Sequence, residues 1–245
     1  MKPEYEKEGS GPPFIYVSGL EGSGKLFYKQ ARDLARDHTV VTFPLRPCGR
    51  YTMSDLINDL VWIVRDVGAE RATFLGESFG GLVVLAAAYA HPGIFERMIL
   101  VNTFPFFTQR AKINLGVWLY SLLPYGLIKG YRTATAPRVL FSPDIGTEDR
   151  LAFREHTRQV PFEGYVSRLR IIRDTDLRTA LPTIQVPALV VAGTADRLIE
   201  SVGAASLIAA SLPRAKLKLL EGIGHMALLS SRVRVREWLV EFADI

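Results

Sequence analysis

The stretch ATFLGESFGGLVVLAAAYA, Ala72–Ala90, decides the fold of this chain. Its first six residues are an apolar run of strand length, and the twelve after Ser78 are small and apolar over the length of a helix. Between them stands Gly76-Glu77-Ser78-Phe79-Gly80, a G-x-S-x-G. A strand that turns into a helix across one serine makes a sharp, strained bend with the hydroxyl exposed at its tip. Gly76 and Gly80 let neighbouring backbone pack around that bend where a Cβ would clash. The start of the helix adds N–H donors and a dipole that favours negative charge. The pentapeptide alone is common; the strand before it and the helix after it make Ser78 a candidate nucleophile.

Working outward, five more apolar runs rich in β-branched residues read as buried parallel strands. They are FIYVS (14–18), TVVTFPL (39–45), MILVNT (98–103), ALVVAGT (188–194) and KLKLLEG (216–222), which with ATFLGE makes about six strands. Helical patterns lie between and after them: Lys25–Asp37, Ser54–Val67 with Ser54 as its N-cap, Phe79–Ala90, an amphipathic Ile199–Ser211, and Ala227–Phe242. Strand alternating with helix means parallel strands joined by right-handed crossovers. The expected class is α/β, with an open, mostly parallel, doubly wound sheet. One interval breaks the alternation, residues 104–187, which show helical patterns and no strand. So long a connection in a compact domain reads as a lid. The chain divides into a core, 1–103 and 188–245, and a helical cap insertion, 104–187.

A serine hydroxyl is a weak nucleophile and needs a base within hydrogen-bond reach. Four histidines allow elimination. His38 lies in the polar turn RDHT, His91 precedes Pro92 at a helix end, and His156 falls in the insertion. His225 sits in LLEGIGHMA, where a strand ends, two glycines turn the chain and a helix begins. That is the carboxyl edge of an open sheet, where function gathers. A third group must orient the imidazole. Asp196 follows ALVVAGT in the turn GTADRLI, again at a strand's carboxyl end. Its rivals Asp174 and Asp176 lie in the insertion with no strand before them, and Glu77, next to the nucleophile, points away from it along the strand.

Ser78, Asp196 and His225, in that order and each just after a strand, resemble the triad of the α/β-hydrolase fold superfamily. The resemblance covers the chain from about Phe14 to its end. Only thirteen residues precede Phe14, so the sheet is expected to be a trimmed one. The resemblance also implies an oxyanion hole made by the backbone N–H groups of Leu20, on the loop after the first strand, and Phe79, after the nucleophile.

That loop, in VSGLEGSGKLF (17–27), also fits G-x-x-x-x-G-K, the opening of a nucleotide phosphate loop. The phosphate reading fails at Leu26, where a Ser or Thr is needed to ligand magnesium. It fails again at MILVN, which ends in Asn102 rather than an Asp. Many members of the superfamily have His-Gly where this chain has Ser18-Gly19, but a backbone donor survives that change. Esterase, thioesterase and acyltransferase-like branches are the most similar, since dehalogenases and epoxide hydrolases carry Asp in place of Ser78.

Composition excludes other classes. Apolar residues are 48% of 245 and charged residues 22%, a globular balance, and the formal charge of +5 comes from Arg dispersed among Asp and Glu. Dispersed Arg makes a solvated face and carries no argument for nucleic acid. Cys48 is the single cysteine, which forbids an intrachain disulfide. The N-terminus MKPEYEKEGSGPP lacks the apolar core of a signal peptide, and NLGVWLYSLLPYGLI, broken by Pro124, is too short to span a bilayer, so the cytoplasm is the expected location.

The triad implies cleavage of a carboxylic ester through an acyl-enzyme, without metal or organic cofactor. The same residues serve acyltransferases and thioesterases, and some members of the superfamily are ligand receptors without catalysis. Phe104, Phe106 and Phe107 follow a strand end, and the cap adds Trp118, Leu119, Leu122, Leu123 and Tyr125. Together these suggest a pocket for a small-molecule ester with an apolar acyl or alcohol part.

Overall fold

Alternation along the strands assigns two faces to the sheet. The computed structural model describes residues 2–122, 136, 138–158 and 162–241. Its strands are β1 (Glu6–Glu8), β2 (Pro13–Val17), β3 (Thr39–Thr42), β4 (Ala72–Glu77), β5 (Phe95–Val101), β6 (Ala188–Gly193) and β7 (Ala215–Leu220). They form one sheet in the order β1-β3-β2-β4-β5-β6-β7. On one face Ile15, Val17, Val41, Phe74, Met98, Leu100 and Val190 join a single apolar cluster. Their sequence neighbours Phe14, Tyr16, Val40, Leu75, Ile99, Val101 and Val191 belong to a second cluster on the other face. Period-two alternation of apolar with apolar is what a sheet covered on both sides requires.

The sheet has seven strands rather than six. β1 is three charged, exposed residues, Glu6-Lys7-Glu8, paired antiparallel to β3 with Glu6 opposite Thr42. It has no apolar pattern to betray it and is held by backbone alone. A short charged strand at this position also blunts the sheet edge against further pairing.

Helices α1 (Tyr28–Leu34), α2 (Met53–Asp66), α3 (Phe79–Ala90), α7 (Ser201–Ser211) and α8 (Val235–Glu241) flank the sheet. Helix α3 is buried along ten of its twelve residues, Phe79 to Ala88, because it packs on the central strands. Residues of α2, α3 and α7 lie in the first cluster, and residues of α1 and α8 in the second. The N-cap of α2 is Thr52, not Ser54. Thr52 Oγ1 accepts the Asp55 N–H at 3.3 Å while Asp55 accepts the Thr52 N–H at 2.8 Å, a reciprocal cap that leaves Ser54 inside the first turn.

The helix expected over Ala227–Phe242 is broken: a 3₁₀ turn at Ala227–Leu229 is followed by α8. Gln30 of α1 fills the gap. Its amide donates to the carbonyls of Leu228 and Val233 at 3.1 Å each, and its oxygen accepts the Val235 N–H at 3.0 Å. Phe242 lies outside the described residues.

Between β5 and β6 lie α4 (Arg110–Leu122), α5 (Thr147–Arg158) and α6 (Phe162–Asp174). The ends of this interval meet at its root. Phe106 pairs with Asp176 in an isolated antiparallel bridge, and Leu177 N–H donates to the Pro105 carbonyl at 2.9 Å. Arg168 of α6 has no exposed surface. Its guanidinium donates to Tyr51 Oη at 3.3 Å, Glu21 O at 3.4 Å and Arg46 O at 3.5 Å, which pins α6 to the loops after β2 and β3. It fits because Gly22 (φ +70) has no Cβ: one there would lie 2.4 Å from the guanidinium.

The strand order reverses between β3-β2 and β4-β5. The crevice outside the carboxyl ends of β2 and β4 is therefore the switch point where open sheets bind ligands.

Candidate active site

Ser78 stands at that switch point, between the last residue of β4 and the first of α3, with φ 54 and ψ −120. Such a backbone is costly for a residue with a Cβ, about 1–3 kcal/mol, and persists only where its surroundings fix it. Three bonds do so: Ser78 N–H donates to Val101 O at 2.9 Å, and its carbonyl accepts from Thr103 Oγ1 at 2.6 Å and the Gly81 N–H at 3.0 Å. β2 lies so close to the bend that position 80 must be glycine, since a Cβ there would lie 2.0 Å from the Val17 carbonyl oxygen.

The structure brings Ser78, His225 and Asp196 together. Ser78 Oγ lies 3.0 Å from His225 Nε2, and His225 Nδ1 lies 2.7 Å from Asp196 Oδ2. A carboxylate only accepts, so Nδ1 carries the hydrogen and Nε2 is left to accept from the serine hydroxyl. All three side chains are largely withdrawn from solvent, Asp196 and His225 to 1% and 4% exposure. Asp196 is held on both oxygens. Oδ1 accepts the N–H groups of Leu198 at 2.8 Å and Ile199 at 3.3 Å, and Oδ2 accepts Ser201 Oγ–H at 2.5 Å as well as His225. Burial pushes the Asp196 carboxyl up. The hydrogen bond and charge of His225, the Ser201 hydroxyl and the Leu198 N–H outweigh that and hold it below the usual range. The same bonds delay α7 to Ser201, two residues after the expected start.

Leu20 sits in the turn closed by Gly22 N–H donating to Gly19 O at 3.1 Å. A Cβ on Gly19 would lie 3.5 Å from Ser78 Cβ, so this loop rests against the bend. Phe79 is the first residue of α3, whose N–H has no acceptor within its own helix. Phe79 thus adjoins Ser78 directly, and Leu20 belongs to the loop that rests against it.

Glu77 turns to the opposite face of the sheet, where its Oε2 accepts from Tyr16 Oη–H at 2.9 Å. Burial, then the charge of Glu21, push its carboxyl up to about 7; Tyr16, the charge of His225 and the Leu228 N–H oppose them. The rivals for the acid are engaged elsewhere, Asp174 with Arg173 and Asp176 with Arg178.

Of the expected pocket residues, Phe104 is buried in the same apolar cluster as Phe79, with Phe107 and Leu20 packed against it. Phe104 and Phe107 meet edge to face at 5.4 Å. Phe106 is engaged at the root of the interval, with the Arg178 guanidinium 3.9 Å over its ring. Trp118 and Leu122 are not part of the cluster that holds Phe104. They are 60% and 63% exposed, because α4 turns Ile113 and Val117 inward, and one residue further on is about 100° around the helix. Leu119 is half-buried, and Leu123 and Tyr125 lie outside the described residues.

Two side chains at the site escaped the sequence reading. Asn102 (φ 46) accepts the Gly193 N–H at 2.8 Å and donates to Gly224 O at 3.0 Å and His225 O at 2.8 Å, so one amide ties the end of β6 to the histidine loop. Ser201 is the other. A polar residue just past an apolar strand was the available signal for Asn102; nothing local marked Ser201. Among the described residues no cluster of three His, Cys, Asp or Glu side chains could hold a metal ion, and no helix is long and apolar enough to cross a membrane.

Comparison with known proteins gives three levels of likeness. A family model described as the alpha/beta hydrolase fold matches residues 12–123. RutD of Yersinia enterocolitica, provisionally named a carbamate hydrolase, is 27% identical over 76% of this chain and 70% of its own. The pimeloyl-[acyl-carrier protein] methyl ester esterase of Nitrosomonas europaea is 26% identical over 92% of this chain and 93% of its own. In three dimensions, the enol-lactonase of Burkholderia xenovorans superposes with a TM-score of 0.86 at 23% identity, covering 99% and 96% of the two chains.

Proposed function

Because the chain belongs to the α/β-hydrolase fold superfamily, we propose that it is a serine hydrolase that cleaves a small carboxylic ester through an acyl-enzyme. The observation that carries this reading is the line Ser78 Oγ, His225, Asp196, with heavy-atom separations of 3.0 and 2.7 Å. Ser78 Oγ attacks the ester carbonyl carbon while His225 Nε2 takes its proton. The carbonyl oxygen becomes an oxyanion, held by the N–H groups of Leu20 and Phe79. The tetrahedral adduct collapses, its C–O bond to the leaving group breaks, and the alcohol departs with the proton from His225. A water molecule, deprotonated by the same nitrogen, then attacks the acyl carbon; the bond to Ser78 Oγ breaks as His225 returns the proton to that oxygen, and the acid is released. Asp196 stays ionised throughout and holds the imidazole in register.

In this reading the interval 104–187 is a lid over the site, and Phe104 and Phe107 contribute apolar wall for the acyl or alcohol part. A second reading, cleavage of a carbamate, draws on the name given to RutD. Acyl transfer to an alcohol uses the same residues and differs in the alcohol that replaces water, and thioester cleavage differs in the thiol that leaves in place of the alcohol.

The test is turnover of p-nitrophenyl esters from two to sixteen carbons, with a p-nitrophenyl carbamate beside them. Wild type is expected to turn over at least one ester, and Ser78→Ala to lose about 10⁴-fold or more in kcat. Equal rates in the two proteins would sink the assignment. A faster carbamate than any ester would favour the second reading.

A further inference from the structure

We propose that Ser201 is a positioning residue that sets the strength of the Asp196–His225 hydrogen bond and so the pH at which Ser78 becomes reactive, an inference that rests on the triad reading above. Two donors share one oxygen, since Asp196 Oδ2 accepts both Ser201 Oγ–H at 2.5 Å and His225 Nδ1–H at 2.7 Å. Ser201 is not needed to anchor the carboxylate. The other oxygen, Oδ1, already takes the N–H groups of Leu198 and Ile199. Nor is its hydroxyl needed to start α7, because that cap belongs to Glu200, whose carboxylate accepts the Gly203 N–H at 3.2 Å. Yet Ser201 is buried, 2% exposed, and its hydroxyl is spent on the one oxygen that faces the base.

A hydroxyl that donates to a carboxylate stabilises its charge and leaves it a weaker acceptor for a second donor. Without Ser201 the carboxylate is more basic and grips the imidazolium more tightly. His225 would then keep its proton to higher pH, and the serine would become reactive later. The other charged groups near His225 are unaltered by such a change: Asp196 itself, and Glu77 at the end of β4, which feels the charges of both His225 and Glu21. Asp144, from the segment packed on Met226, is tied to Ser230 and stays so.

The experiment is the pH profile of kcat/KM for p-nitrophenyl acetate in wild type, Ser201→Ala and Ser201→Thr, with an NMR titration of the ¹⁵N-labelled His225 ring in each. Ser201→Ala is expected to move the acid limb, and the ring titration with it, upward by roughly half a pH unit, and Ser201→Thr to restore both. An unmoved ring titration in Ser201→Ala overturns the inference, as does a shift that threonine fails to reverse. Ser201→Cys, a weaker donor of similar size, replaces Ser201→Ala if that variant does not fold. The ring titration needs no substrate, so it judges Ser201 even if Ser78→Ala retains activity and the ester reading falls.

Discussion

At the scale of single residues, the bend that presents Ser78 also buries its neighbour Glu77, whose Oε1 has no hydrogen-bond partner. Its carboxyl is raised from 4.5 to about 7, so the folded protein holds that proton more tightly than the unfolded chain. The stability this supplies is complete below about pH 4.5 and is lost as pH rises through 7. Glu77→Gln removes the dependence. Urea unfolding at the two pH values should show the variant gaining about 2 kcal/mol on wild type between pH 4.5 and pH 8, and parallel curves would refute the buried titration. Ser78, Asp196 and His225 were legible from sequence because each follows an apolar strand in a turn. Asn102 and Ser201 were not. Asn102 acts on residues 91 and 123 positions away, and Ser201 matters only through an oxygen that it shares with His225. That Trp118 and Leu122 are exposed while Val117 is buried was not legible either, because an apolar run on a helix does not say which of its residues turn inward.

At the scale of elements, the strands were read nearly to the residue where burial on two faces makes them continuously apolar, as in β4 and β6. β1 was missed because an edge strand of three charged residues is stabilised by its ladder and not by any side chain. Helix ends went wrong where a side chain decided them. Thr52, rather than Ser54, caps α2 because Asp55 can answer it from three residues on. Thr52→Ala should therefore lower stability by about 1 kcal/mol, while Ser54→Ala should change it by less than about half that. Thermal unfolding of the two variants decides between the caps, and equal effects would contradict the geometry.

At the scale of the whole molecule, the interval between β5 and β6 is tied to the core by Arg168. That guanidinium is wholly buried, its Nε has no partner and its bonds are long, so burial lowers its pKa below the ordinary arginine value even against the charges of Tyr51 and Glu21. A buried charge so weakly compensated adds packing more than electrostatic stability. Arg168→Met, which keeps most of the volume, should leave the melting temperature unchanged or raise it, whereas Arg168→Ala should cost about 3 kcal/mol through the cavity it opens. Equal losses in both variants would instead assign the stabilisation to the charge.

The bridge between Phe106 and Asp176 has a consequence for how this molecule can change over time. A segment whose two ends already touch presents the sheet with a closed joint, whatever is strung between them. Doubling its length would cost the core only about 0.6 kcal/mol of closure entropy. New material can thus be spliced into the segment at little cost to the sheet, provided that the side chains by which it already enters the core, Ile113, Val117 and Arg168 among them, keep their places.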